Sequence, residues 1–106
     1  MNRHHSDFIS YYFSFFYNGG SYLELGLYEG ETVNKIKQHT SDITGVDIID
    51  RKIPDITFVN KATDVFFSEN IRKFNVIFID ADHSYKSVEK DFDNSLKCLS
   101  VGGSIY

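Results

Sequence analysis

The chain has 106 residues, of which 42% are hydrophobic and 25% charged, and its formal net charge is −4. This length suits one globular domain with a hydrophobic core, and the composition excludes a disordered or fibrous chain. The acidic balance argues against a nucleic-acid partner, and no run approaches the roughly 18 apolar residues of a membrane span. The single cysteine, Cys98, cannot form an internal disulfide, and we find no signal peptide, so we expect a cytoplasmic protein.

Residues 1–20 are expected to form an N-terminal helical segment, separate from an α/β domain over residues 21–106. A helix is predicted over 6–17, because Ser6 is a suitable cap and aromatic residues recur at helical spacing. The aromatic residues at this spacing are Phe8, Tyr12 and either Phe15 or Phe16. Asn18-Gly19-Gly20 is a typical helix stop.

From residue 21 onward, extended and helical patterns alternate. Strands are predicted over 21–27, 43–49, 56–60 and 74–79, and a last strand is predicted to begin at 104, after Val101-Gly102-Gly103 ends a helix. Helices are predicted over 31–39, 63–72 and 85–99, with core positions Val33, Ile36, Val65, Phe66, Ile71, Val88, Phe92, Leu96 and Leu99. This alternation predicts an α/β fold with a doubly wound, mainly parallel sheet of about five strands flanked by helices.

The most informative segment is 21–30, which reads Ser-Tyr-Leu-Glu-Leu-Gly-Leu-Tyr-Glu-Gly. It predicts a strand containing Glu24, then a Gly-x-x-x-Gly turn from Gly26 to Gly30, then a helix. Glycine lets the backbone approach a ligand closely, because it has no Cβ. This context favours ligand binding over an ordinary tight turn. Tyr28, inside the turn, is a candidate ligand contact, although an exposed turn explains it equally well.

Polar residues also follow the second and third strands. Asp47 lies about twenty residues after Gly26, which is the spacing between a nucleoside-binding turn and its ribose-binding acid. A carboxylate there can accept hydrogen bonds from both ribose hydroxyls, and the alternative is a solvated strand-end acid or a helix cap. Thr63 and Asp64 are as well suited to capping the next helix as to contacting an adenine amino group.

A second cluster, Asp80-Ala81-Asp82-His83-Ser84-Tyr85, directly follows the strand over 74–79. Asp80, with Asp82, is a candidate ligand of a divalent cation such as Mg²⁺, which prefers oxygen ligands. Alternatively, His83 takes a proton from a substrate hydroxyl, because an unperturbed histidine titrates near neutral pH. The structural alternative is that Asp82 or Ser84 caps the next helix. Ligands of doubly wound sheets bind at the carboxyl ends of the strands, which favours a functional role.

These motifs, taken in order, resemble the class I S-adenosylmethionine-dependent methyltransferases over residues 21–106. The segments that carry the resemblance are 22–30, Ile-Thr-Gly-Val-Asp (43–47), 74–85 and Leu-x-x-Gly-Gly-x-Ile (99–105). The segment 80–85, with Asp91 downstream, looks most like the branch that methylates hydroxyls of small molecules and sugars. The resemblance implies a Rossmann-like domain, S-adenosylmethionine as cofactor and a small-molecule acceptor.

The resemblance also implies roles by position. The residues that would frame the methionine part of the cofactor are Glu24, Gly26 and Gly30, with Tyr28 able to touch it. Asp47 would hold the ribose, and Thr63 or Asp64 would lie near the adenine. Asp80 would lie near the methyl donor, as a metal ligand or substrate contact, and His83 would be a candidate catalytic base.

Such enzymes normally continue into two further strands, whereas this sequence reaches only the fifth. We therefore expect an exposed edge strand and a homo-oligomer, in the form of a dimer. Other hypotheses are a non-catalytic S-adenosylmethionine-binding module or fragment, and a lyase or hydrolase that degrades S-adenosylmethionine. Nicotinamide binding is less favoured, because the turn is Gly-x-x-x-Gly and not Gly-x-Gly-x-x-Gly.

Overall fold

The computed structural model describes residues 3–80 and 85–106, in which strands and helices alternate except that the third strand follows the second with no helix between them. The helices are α1 (Arg3–Phe16), α2 (Glu31–Ile36), α3 (Thr63–Glu69) and α4 (Tyr85–Lys97). The strands are β1 (Tyr22–Leu25), β2 (Ile43–Val46), β3 (Thr57–Val59), β4 (Phe74–Ile79) and β5 (Leu99–Ile105). None of the helices in the described part of the chain is long and apolar enough to cross a membrane.

The strands form one parallel sheet in the order β3-β2-β1-β4-β5, which confirms the predicted fold class. The register sets the position of the candidate site. Leu25, the last residue of β1, pairs with Val46 of β2 and with Ile79 of β4. The residues that follow these three strand ends, Gly26, Asp47 and Asp80, therefore leave the sheet side by side at its carboxyl edge.

Helices cover both faces of the sheet, and β1 contributes to both layers because successive strand residues point to opposite sides. Tyr22 packs with residues of α1 and α2, including Phe13 and Val33. Leu23 and Leu25 pack in the other layer, which includes Phe66, Phe74, Ile77 and Cys98. All four residues of β1 are buried, as expected for the central strand of such a sheet.

The predicted helix over 6–17 is present as α1, but the predicted cap is wrong. The helix begins at Arg3, so Ser6 lies inside it, buried, instead of capping it. The residues that pack on the sheet are Ile9 and Phe13, which are 3% and 0% exposed. The aromatic residues that recur at helical spacing are mostly exposed: Phe8 by 58%, Phe15 by 71% and Phe16 by 59%. The helix is aromatic on more than one side, so helical spacing alone could not identify the side that meets the sheet.

The predicted core of α2 is confirmed, because Val33 and Ile36 are fully buried. Of the three core positions predicted in the helix over 63–72, only Phe66 is buried. Val65 is 42% exposed, and Ile71, which lies beyond the end of α3, is 98% exposed. These two predictions are wrong for one reason: α3 is a short helix that ends at Glu69, and only one of its sides reaches the sheet. The helices α2, α3 and α4 all end before the predicted residue.

The apolar stripe of α4 is half-exposed instead of buried. Val88, Phe92 and Leu96 are 41%, 44% and 51% exposed. The neighbouring side of the helix, with Asp91, Ser95 and Cys98 just after it, is the one that is buried. The helix therefore rests on the sheet along a partly polar side and presents its apolar stripe beside the edge strand β5.

The predicted start of β5 is also wrong. Val101-Gly102-Gly103 lies inside a strand that runs from Leu99 to Ile105, instead of ending a helix. The pairing of β5 with β4 shifts register between Leu99, opposite Phe74, and Ser104, opposite Val76. The glycines lie within this irregular stretch, which explains why they resembled a helix stop in the sequence.

Candidate functional site

The turn after β1 requires glycine at both ends. Gly26 and Gly30 have φ angles of 86° and 81°, which are favourable only for glycine. A Cβ atom on Gly30 would lie 2.9 Å from the side chain of Ile53. Between the glycines, Tyr28 also adopts a left-handed conformation, with φ 51°. The predicted Gly-x-x-x-Gly turn is therefore present, and α2 begins at the residue after it.

Asp47 ties this turn to the end of β2. Its Oδ2 accepts a hydrogen bond from the backbone amide of Leu27 at 2.9 Å, and its Oδ1 accepts one from the amide of Ile49 at 2.9 Å. Burial alone raises the pKa of Asp47, but the two amides and the Arg51 guanidinium outweigh burial and hold the pKa below its usual value. Asp47 is therefore an ionised carboxylate, 7% exposed, against the glycine turn.

Arg51 also contacts Asp47 and the glycine turn, and the sequence analysis does not identify it as a site residue. Its Nε donates a hydrogen bond to Asp47 Oδ2 at 2.9 Å, and its guanidinium carbon lies 5.4 Å from the ring centroid of Tyr28. Both Arg51 and Tyr28 line two adjoining cavities, so they form the boundary between them. The sequence signal for Arg51 is its position four residues after the strand-end carboxylate. This signal is weak without knowledge of the loop conformation.

The first cavity has a volume of about 360 Å³ and is rich in acidic groups. Its lining residues are Glu24, Leu27, Tyr28, Glu29, Glu31, Thr32, Arg51 and Asp80. Arg51 is the only basic side chain among these described residues, and Asp47 already neutralises it. The cavity therefore favours a positively charged ligand group.

Glu24 is an unusual member of this cavity, because it is 2% exposed and belongs to the central strand. The hydroxyl of Tyr22, two residues earlier on the same side of β1, donates a hydrogen bond to Glu24 Oε1 at 2.5 Å. Burial is the main reason that the pKa of Glu24 is raised to about 8, and the charge of Asp80 raises it further, whereas the Tyr22 hydrogen bond opposes the rise. Glu24 therefore retains its proton to a large extent at neutral pH.

The second cavity has a volume of about 390 Å³ and is more apolar. Its lining residues are Gly26, Tyr28, Val46, Asp47, Ile48, Ile49, Arg51, Lys61, Ala62, Thr63 and Ser87. Ile48 and Ile49 are 72% and 54% exposed, so they provide an accessible apolar wall beside the Asp47 carboxylate. A flat, apolar group that carries hydroxyls suits this combination.

Several predicted site residues come together here and others do not. Gly26, Tyr28, Asp47 and Thr63 line the second cavity, while Glu24 and Asp80 line the first. Asp64 is exposed and lines a separate recess of about 140 Å³ between α3 and α4, so of the two predicted adenine contacts only Thr63 faces the cavity with Asp47. Gly30 shapes the turn without lining either cavity.

Asp80 follows β4, and its backbone amide donates a hydrogen bond to the carbonyl of Leu25 at 2.8 Å, which holds it beside the glycine turn. Within residues 3–80 and 85–106, no group of three or more metal-ligating side chains occurs. Asp82, Ser84 and the candidate base His83 lie outside the described residues, so their predicted roles remain predictions.

Comparison with known proteins identifies the family of this chain. A family profile described as "Methyltransferase domain" matches residues 23–106, and a search of curated proteins found no match. Among solved structures, the chain resembles the N-methyltransferase NodS from Bradyrhizobium japonicum WM9 in complex with S-adenosyl-L-homocysteine, with a TM-score of 0.71 and 18% identity, covering 97% of this chain and 59% of that one. It also resembles an O-methyltransferase from Bacillus cereus in complex with S-adenosylhomocysteine, with a TM-score of 0.73, 16% identity and coverage of 94% and 53%.

A third similar structure is DesVI from Streptomyces venezuelae, with a TM-score of 0.69, 14% identity and coverage of 94% of this chain and 47% of that chain. The chain thus spans about half the length of these proteins. At these identities the structural likeness concerns the fold, whereas the profile covers most of the sequence. The chain belongs to the class I S-adenosylmethionine-dependent methyltransferase family, and the family profile matches it over residues 23–106.

Proposed function

We propose that this domain binds S-adenosylmethionine and transfers its methyl group to a hydroxyl of a small molecule. The observation that carries the proposal is the pair of adjoining cavities, one apolar around Asp47 and one acidic around Glu24 and Asp80. S-adenosylmethionine has matching halves: a nucleoside with ribose hydroxyls and a methionine end with a sulfonium and an ammonium. The NodS and Bacillus cereus structures, both in complex with S-adenosylhomocysteine, support the same ligand class.

In the apolar cavity, Asp47 would accept hydrogen bonds from the ribose, with Ile48 and Ile49 against the base and Thr63 near its polar edge. The carboxylate already accepts hydrogen bonds from two amides and from Arg51. A carboxylate offers about four lone-pair sites, so a ribose that donates two hydrogen bonds requires Arg51 to release Asp47. Arg51 is 25% exposed at its side chain and can turn toward solvent.

In the acidic cavity, Glu24 and Asp80 would face the methionine end of the cofactor. Methyl transfer is an in-line displacement: a lone pair of the acceptor oxygen attacks the methyl carbon, and the carbon–sulfur bond breaks with its electron pair left on sulfur. The products are the methyl ether and S-adenosylhomocysteine, and the hydroxyl proton passes to a base. We propose His83 as that base, with Asp80 as a second candidate beside the methyl donor. Positioning and proton removal are the protein's main contributions to such a reaction.

Asp80 is also the proposed ligand if a divalent cation such as Mg²⁺ takes part. Magnesium is commonly held by one or two carboxylates together with water and ligand oxygens, so a single Asp80 carboxylate is compatible with it. The proposed transfer does not depend on this cation for any of its steps. Calorimetric titration of S-adenosylmethionine with and without a chelator measures whether the cation contributes to binding.

We further propose a cytoplasmic homodimer formed at the β5 edge. Beside this edge lies a mostly apolar groove of about 350 Å³, lined by Ile79, Val88, Glu89, Phe92, Ile105 and Tyr106. Within the described part of the chain, β5 has one sheet neighbour, β4, so its other edge can pair with a second copy. A reducing compartment is consistent with the buried free thiol of Cys98.

Incubation with S-adenosylmethionine and a panel of small hydroxyl compounds, followed by mass spectrometry, tests the proposed reaction. We expect S-adenosylhomocysteine together with an acceptor heavier by one methylene. Methylthioadenosine with an unmodified acceptor would instead indicate a lyase or hydrolase that degrades S-adenosylmethionine. Tight S-adenosylhomocysteine binding with no turnover would indicate a non-catalytic module. Methylation of amine acceptors only would contradict the hydroxyl assignment.

A further inference from the structure

We propose that Arg51 changes partners when the cofactor binds and thereby selects nucleosides that carry an amino acid end. In the free protein Arg51 binds the Asp47 carboxylate, and in the complex it binds the carboxylate of the methionine end. A nucleoside without that carboxylate displaces Arg51 from Asp47 and offers it no new partner, so such a nucleoside binds more weakly. This inference rests on the proposed function and names a specificity-determining residue within it.

Arg51 lies where the two halves of the proposed ligand meet. Its side chain lines both the apolar cavity around Asp47 and the acidic cavity, and so does Tyr28, over whose ring the guanidinium lies. Asp47, in contrast, lines only the apolar cavity. A ligand that places its ribose on Asp47 and its methionine end in the acidic cavity therefore extends past the Arg51 guanidinium.

The contact between Arg51 and Asp47 uses only part of the guanidinium. Nε of Arg51 donates to Asp47 Oδ2 at 2.9 Å, and the same oxygen accepts a hydrogen bond from the backbone amide of Leu27. A guanidinium presents several N–H donors in a planar fork, which matches the two oxygens of a carboxylate. A ligand carboxylate therefore offers Arg51 a bidentate pair of charge-assisted hydrogen bonds in place of the single one that it gives up.

The backbone on either side of Arg51 is held, so the change of partner is confined to the side chain. Before Arg51, the amide of Ile49 donates a hydrogen bond to Asp47 Oδ1 at 2.9 Å. After it, Ile53 is 9% exposed and packs in the core layer that α1 and α2 cover. The Arg51 side chain itself is 25% exposed and borders both cavities, so it can rotate from one to the other without movement of the loop.

The acidic cavity requires a positive charge before it can accept a ligand carboxylate. The acidic residues that line it are Glu24, Glu29, Glu31 and Asp80. Such a lining disfavours the entry of an anion. Among the described residues that line this cavity, Arg51 is the only basic one. Once it leaves Asp47, its guanidinium supplies the charge that the carboxylate of the methionine end requires.

Calorimetric titration with two ligands isolates the carboxylate. Decarboxylated S-adenosylmethionine keeps the nucleoside, the sulfonium and the amine of S-adenosylmethionine and lacks only the carboxylate. We expect the native protein to bind S-adenosylmethionine more tightly than the decarboxylated ligand. Arg51→Ala should reduce the ratio of the two affinities by about tenfold to hundredfold, the range for losing charge-assisted hydrogen bonds. A native protein that prefers the decarboxylated ligand, or a ratio that does not change in Arg51→Ala, would overturn the inference.

Two matched variants separate this role from a general effect of charge. Arg51→Lys keeps the positive charge without the planar fork, so its affinity ratio should lie between those of the native protein and Arg51→Ala. Lys52→Asn removes a positive charge from the next residue, which is 83% exposed and lines neither cavity, and asparagine tolerates the φ angle of 53° there. This variant should keep the native ratio. An equal change in Lys52→Asn and Arg51→Ala would show that the charge of the loop causes the preference and would refute the role of Arg51.

A structure of the complex with S-adenosylhomocysteine gives a readout that does not depend on affinity. We expect the Arg51 guanidinium on the ligand carboxylate and the ribose hydroxyls on Asp47. A complex in which Arg51 still binds Asp47 would overturn the inference and leave the proposed function standing. Failure of both S-adenosylmethionine and S-adenosylhomocysteine to bind would instead overturn the proposed function itself.

Discussion

The raised pKa of Glu24 makes a quantitative prediction about folding. Between the ordinary value of 4.5 and about 8, the folded protein holds a proton on Glu24 that the unfolded chain has lost. The contribution of Glu24 to the free energy of unfolding should therefore be greatest below about pH 4.5 and should fall as pH rises toward 8. Since one pKa unit corresponds to about 1.4 kcal/mol, the loss between about pH 5 and pH 7.5 should be roughly 3 kcal/mol.

The matched variant is Glu24→Gln, which keeps the shape of the side chain but cannot ionise. Urea unfolding of both proteins at intervals from about pH 5 to pH 7.5 gives the two free energies of unfolding, and their difference isolates Glu24 from the other titrating groups. We expect this difference to shift in favour of the variant by roughly 3 kcal/mol as pH rises. Asp47 does not interfere, because its lowered pKa confines its contribution to lower pH. The same pH dependence in both proteins would refute the reasoning.

Three further predictions concern the cofactor site and the edge of the sheet. Asp47→Ala should weaken methylthioadenosine binding by roughly 1.5–3 kcal/mol in calorimetry, because charged hydrogen bonds to the ribose are lost, and an unchanged affinity would remove that assignment. Arg51→Ala should tighten binding of the same ligand a fewfold, since Asp47 no longer needs to be released, and weaker binding would show that Arg51 holds the ligand instead. In light scattering after size exclusion, the native chain should be a dimer and Phe92→Lys a monomer, because Phe92 lines the groove beside β5. The control Ile71→Lys, at a residue that is 98% exposed and outside that groove, should remain dimeric, and a monomeric native protein would contradict the interface.

Much of the fold could be predicted from the sequence, because strand patterns are local. The run Phe74–Ile79 and the segment before Gly26 are apolar enough to be buried, and their alternation with helices implies a parallel sheet. The glycine turn could also be recognised locally, since Gly26 and Gly30 adopt backbone angles that other residues avoid. The placement of Asp47 against this turn follows from strand order and spacing, and the structure shows the contact.

The buried sides of the helices could not be predicted from the sequence in the same way. The helix α1 is aromatic on several sides. In α4, the buried side is partly polar and lies next to an apolar stripe that is half-exposed. Periodicity shows that a helix has an apolar side, but the sheet and the neighbouring helices decide which side is covered. The spacing of Phe8 and the apolar stripe that contains Phe92 therefore do not mark buried positions, because each side chain is about half-exposed.

Local amino-acid patterns are enough to predict the α/β fold, the glycine turn and the carboxylates that end the strands, because each depends on residues near one another in the chain. The interactions between those groups depend on how the elements pack in three dimensions. The register of β1 with β4 brings Asp80 beside Glu24, the loop conformation places Arg51 on Asp47, and burial of the central strand raises the pKa of Glu24. Charge interactions and desolvation depend on distance in space and on exclusion of water, which the order of residues does not contain.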